Sequence, residues 1–124
     1  MKTTTAILFA MLLVEFSSGD NITGRWETQR SAKGNVTGVV FKDDGNFEGY
    51  VNNKPFGTGK YKVHDDVISF TDNGCEGKPG TYKLILFSNS DSMRFEFVSD
   101  ECAGRAEGMK KTILGRVKPV KQNQ

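Results

Sequence analysis

Histidine and cysteine are scarce in this chain. His64 is the single histidine, and Cys75 and Cys102 are the two cysteines. That scarcity removes whole classes of chemistry. No Cys-x-x-Cys occurs, so a His/Cys metal set has no support. No Ser/His/Asp arrangement, paired acidic motif or phosphate loop is present either, so neither an enzyme nor a bound cofactor is expected. His64 does sit beside Asp65 and Asp66, a neighbourhood in which acid–base chemistry is conceivable; the three residues read more simply as a solvated turn. Asp43-Asp44-Gly45 resembles the start of a calcium loop but lacks the later ligands, and a hairpin turn accounts for it. An excess of charge of one sign is also missing. Seventeen Lys and Arg against fifteen Asp and Glu leave +2, too balanced to imply a nucleic-acid partner. No window carries a convincing helical stripe, and the longest apolar run, residues 6–14, is too short to span a bilayer.

What that run does fit is a secretory leader. Lys2 precedes it, and Ser17-Ser18-Gly19 follows as a small-residue cleavage site. Residues 1–19 are read as a signal peptide cleaved after Gly19, and no cysteine nearby suggests a lipid anchor. The mature chain then begins at Asp20 and works outside the cytoplasm, secreted or periplasmic. It has about 105 residues, enough for one domain with one modest core. In an exported chain Cys75 and Cys102 should pair. Closing a loop of about 27 residues would stabilise the domain by roughly 3.5 kcal/mol on the chain-entropy argument. The surplus basic residues sit in the stretch 118–124, at Lys118 and Lys121, read as a disordered, solubilising tail. Asn21-Ile22-Thr23 and Asn35-Val36-Thr37 fit the glycosylation acceptor pattern, which is common by chance.

From Gly24 onward the pattern is strand, turn, strand. Expected strands cover 24–30, 36–42, 47–52, 57–63, 67–71, 81–87, 93–99 and about 111–117. Asp43-Asp44-Gly45-Asn46 supplies an Asp-Gly hairpin turn. Eight short antiparallel strands close naturally into an up-and-down barrel, which leaves no exposed edge. Connections 43–46, 64–66 and 88–92 are tight, whereas 31–35, 53–56, 72–80 and 100–110 are longer or looser. Alternate connections of a meander lie at the same end. The longer ones, carrying Cys75 and Cys102, therefore gather at one end, where the disulfide is geometrically sensible.

Gly24-Arg25-Trp26 opens the first strand, and Phe41-Lys42-Asp43-Asp44-Gly45-Asn46-Phe47, Gly59-Lys60-Tyr61-Lys62-Val63, Ile68-Ser69-Phe70-Thr71-Asp72, Gly80-Thr81-Tyr82 and Asp100-Glu101-Cys102-Ala103-Gly104-Arg105 follow in order. In this the chain resembles the calycin superfamily, and within it small bacterial lipocalin-like proteins. The resemblance implies an eight-stranded barrel whose Trp26 packs across the closed end under an arginine, Arg116 in preference to Arg105, by a cation–π contact. It also implies a cup for a small apolar molecule. The chain is shorter than most lipocalins, shows no C-terminal helix and has no good match to the family's second motif. Avidins begin similarly but hold biotin with several tryptophans, and Trp26 is the only one here.

The inward set is Trp26, Tyr61, Phe70, Tyr82, Leu84, Phe95 and Phe97, with Arg105 the polar candidate at the open end, either for a ligand carboxylate or in a structural salt bridge. Two readings stay open. The barrel is hollow and binds a small, largely apolar molecule, with buried tyrosine hydroxyls needing partners. Or it is filled, as small barrels can be, and the protein is a secreted inhibitor or interaction module. A monomer is expected.

Overall fold

In the computed structural model, residues 22–118 are described. The leader 1–19, the predicted new terminus Asp20, the Asn21 acceptor, and Pro119 and Lys121 of the tail lie outside them. Alternating side chains produce the strands. On β5 (Val67–Asp72) Ile68 and Phe70 are buried. On β6 (Gly80–Phe87) Tyr82 and Leu84 are, and on β7 (Ser92–Asp100) Met93 and Phe95 are, while Lys83, Arg94 and Glu96 face solvent. With β1 (Gly24–Glu27), β2 (Thr37–Phe41), β3 (Asn46–Val51), β4 (Lys54–His64) and β8 (Ile113–Arg116), these form a closed antiparallel barrel in sequence order. β1 seals it against β8 through Trp26 opposite Arg116 and Glu27 opposite Gly115. The core is one cluster running from Ile22 and Trp26 through Phe41, Ile68, Phe70, Tyr82 and Met93 to Phe95 and Leu114.

The expected eight-stranded meander is thus observed, and its tight turns have the expected chemistry. Gly45 adopts a left-handed φ of 91°, and the Asn46 N–H donates to Asp44 Oδ1 at 3.0 Å. The Cys75–Cys102 disulfide is formed, with Cα atoms 5.9 Å apart.

Three expectations are corrected. The connection between β3 and β4 is not loose: β4 begins at Lys54, and Asn52 and Asn53, with φ of 53° and 68°, make a two-residue hairpin turn. Asparagine tolerates positive φ better than most residues, which lets Asn-Asn act where Asn-Gly is the usual signal. Second, the stretch after β7 holds a helix, α1 (Ala103–Lys110), in which no residue is buried. A helix without a buried stripe leaves no apolar period to detect; it is held instead by the disulfide at its start and by Arg105. Third, Phe97 is not in the core. It is 58% exposed, with Val98 beside it at 54%. The register between β6 and β7 shifts at Thr81/Tyr82, so that Tyr82 faces Phe97 but Thr81 faces Ser99. A bulge of this kind breaks strict alternation and re-aims side chains. Lys118, assigned to the tail, pairs with Asp91 at 3.0 Å.

Candidate functional site

At the end carrying the tight turns the barrel is plugged. Trp26 is fully buried and its indole Nε1 donates to the Ile22 carbonyl at 2.9 Å. The Arg116 guanidinium lies 4.3 Å from the centre of the Trp26 ring. It is held there by Ser90 O at 3.2 Å and Asp91 Oδ1 at 3.5 Å, from the turn between β6 and β7. Arg116, rather than Arg105, takes the expected role. Tyr61 belongs to this half as well: its ring is 4.8 Å from that of Phe41, and its hydroxyl donates to the Lys42 carbonyl at 2.6 Å.

The opposite half is hollow. A cavity of about 730 Å³ is walled by Phe41, Phe47, Phe70, Phe95 and Leu114, with Phe56 at its edge and Met109 of α1 over it. Part of the wall is bare backbone, at Gly49 of β3 and at Gly57, its partner on β4. A Cβ at Gly57 would meet no atom within 4 Å. Gly59 has another reason: a Cβ there would collide with the Thr71 carbonyl and with the ring of Phe47. Thr37, Thr58, Asn73 and Thr112 contribute polar groups, and Cys75 lies on the rim.

The charged groups at this end form a linked cluster. Arg105 Nε donates to Asp100 Oδ2 at 2.9 Å and Nη1 to Asp72 Oδ2 at 3.2 Å; Nη2 donates to Asp100 Oδ1 at 2.9 Å and to the Lys78 carbonyl at 2.7 Å. The Asp100 side chain is wholly shielded from solvent. It also accepts the Tyr82 hydroxyl through a very short hydrogen bond, and the Cys102 N–H at 2.9 Å. Gly80 leaves the space for this, since a Cβ there would press on the Asp100 carboxylate and on Arg105. The Arg105 hydrogen bond, helped by Tyr82 and Cys102, holds the Asp100 carboxyl down to about 2 from the usual 3.8. Burial, reinforced by the bond to Asp100, pushes the Tyr82 hydroxyl well up, so it stays a neutral donor. This constellation orders the mouth of the barrel.

Of the residues singled out from sequence, Phe70, Phe95 and Arg105 line the cavity. Tyr82 and Leu84 are buried beside it, with Tyr82 6.2 Å from the Phe70 ring and 6.3 Å from the Phe95 ring. Trp26 and Tyr61 belong to the plugged half, and the exposed Phe97 lies against the Tyr82 ring, at 6.0 Å. Sequence reasoning missed Phe41, Phe47, Met109 and Leu114. The available signal was the inward glycines of β3 and β4, which mark empty space opposite large side chains. A shallower polar depression of about 470 Å³ crosses β3 to β5. Its lysines are engaged, Lys42 with Glu48 at 2.7 Å and Lys60 with Asn46 at 3.1 Å. Among the described residues, no helix is long and apolar enough to cross a membrane.

Comparison with protein-family models finds no match, and comparison with curated proteins finds none either.

Proposed function

We propose that this is an exported, non-enzymatic, lipocalin-like barrel that binds a small, largely apolar molecule in the cavity between the barrel wall and α1. The observation that carries this reading is the cavity itself. Its volume, about 730 Å³, falls in the range of small-molecule sites, and its wall is mostly aromatic and aliphatic with a few polar groups at the rim. Burial of apolar ligand surface supplies the driving force, at about 25 cal/mol per Å². Export is supported by the leader-like residues 1–19 and by the disulfide, a bond that persists in oxidising compartments. The calycin resemblance is supported by the barrel order and by the Trp26–Arg116 stack.

Filling the cavity tests the reading. Gly57→Leu places a side chain where a Cβ has room. The variant is expected to keep its circular dichroism spectrum while its affinity for Nile red, a neutral apolar fluorophore, falls at least about tenfold, roughly 1.4 kcal/mol. Unchanged Nile red affinity in a folded variant would overturn it. A second reading, a protein-interaction module, is favoured by the exposed Phe56, Phe97, Val98 and Ile113, which are 54–74% accessible. Substituting Phe97, Val98 and Ile113, which do not line the cavity, by polar residues would abolish partner binding while leaving Nile red affinity in place.

A further inference from the structure

We infer that the ligand's polar end is cationic, an amine on an apolar body, and that a carboxylate is disfavoured; this rests on the cavity-binding reading. Among the described residues the charged groups lining the cavity are Asp72 and Arg105. Arg105 at first sight invites an anion, but its guanidinium already makes four hydrogen bonds, all to protein oxygens. Three of those go to carboxylates, Asp100 behind it and Asp72 beside it. One cation against two anions leaves the cluster at −1, with the Asp100 charge held by its hydrogen bonds from Arg105, Tyr82 and Cys102. An incoming carboxylate would approach an already neutralised arginine and a net negative site, and would lose its own hydration there.

Asp72 is the group positioned to meet a cation. Its side chain is 24% exposed at the cavity wall. Oδ1 accepts the Gly74 N–H at 2.9 Å and Oδ2 accepts Arg105 at 3.2 Å. A carboxylate offers about four acceptor positions, so an ammonium donor can share it. The wall is compatible with this preference: Phe41, Phe47, Phe70 and Phe95 line it, and an aromatic face attracts a positive charge.

The experiment compares three probes with the same twelve-carbon chain at pH 7: dodecylamine, dodecanol and dodecanoate. Each displaces Nile red from the full-length protein at concentrations below its own aggregation. The amine is expected to displace at about tenfold lower concentration than dodecanoate, with the alcohol between them. Asp72→Asn is expected to bring the amine and carboxylate together. Should that variant fail to fold, the ranking on the unaltered protein decides, with Gly57→Leu as the control that displacement occurs in the cavity. Dodecanoate displacing as well as or better than the amine overturns the charge assignment alone. Nile red that does not bind, or binds regardless of Gly57→Leu, overturns the cavity reading beneath it.

Discussion

The two ends of the barrel each use an arginine, and they use it differently. At the plugged end Arg116 lies over an apolar ring and borrows one carboxylate, of Asp91, and one backbone carbonyl, of Ser90, from a neighbouring turn. At the hollow end Arg105 is an electrostatic bolt between Asp72 and Asp100, tying β5, β7 and α1 together beside the disulfide. The first arrangement follows from tight turns that bring strands close enough for Trp26 to fill the space. The second replaces the missing apolar plug with charge-assisted hydrogen bonds and a covalent link, so that longer connections can stand apart without losing order. A barrel can then be stable at one end by packing and at the other by polar and covalent ties, and only the second leaves room for a ligand.

The comparison can be broken most strongly at the plugged end. Trp26→Ala is expected to cost about 3–5 kcal/mol, as large-to-small changes at fully buried sites do. Because Trp26 is the only tryptophan, urea unfolding followed by circular dichroism is the measurement. Replacing Cys75 and Cys102 together by serine should cost somewhat less, about 3.5 kcal/mol on the chain-entropy argument. It should loosen amide-exchange protection in α1 more than in β1; equal loosening of both would remove the division between the ends.

Acid acts on the hollow end through Asp100, and less strongly than these substitutions. The Asp100 carboxyl is held at about 2 in the folded protein, below its value in the unfolded chain near 3.9. Its contribution is therefore complete above about pH 5 and is lost as the pH falls through 4 towards 2. The loss amounts to about 2 kcal/mol. Urea midpoints measured across that interval should fall in the unaltered protein, and Asp100→Asn should flatten the part of the fall that this carboxyl carries.

The barrel was legible in the sequence because its signals are local. Alternation on β5, β6 and β7, the Asp44-Gly45 turn and the spacing of the connections each depend on residues close together in the chain. The disulfide followed from two cysteines placed in connections that a meander brings together. Phe97 and α1 were not legible. A bulge is a mismatch between two strands, so the period of one strand says nothing of it, and a helix with no buried face has no period to read. The Asn52-Asn53 turn was legible in principle, from residues that accept positive φ.

The amino-acid sequence by itself determined the eight strands, their order, the inward side of most of them and the cysteine pair, since periodicity and turn chemistry are properties of neighbours. Only the tertiary structure decided that the hollow half lies under α1, that Gly49 and Gly57 bare its wall, and that Arg105 is spent on Asp72 and Asp100. Those are contacts between segments far apart in the chain. Whether an arginine is available to a ligand depends on which carboxylates the folded barrel brings within about 3 Å of it.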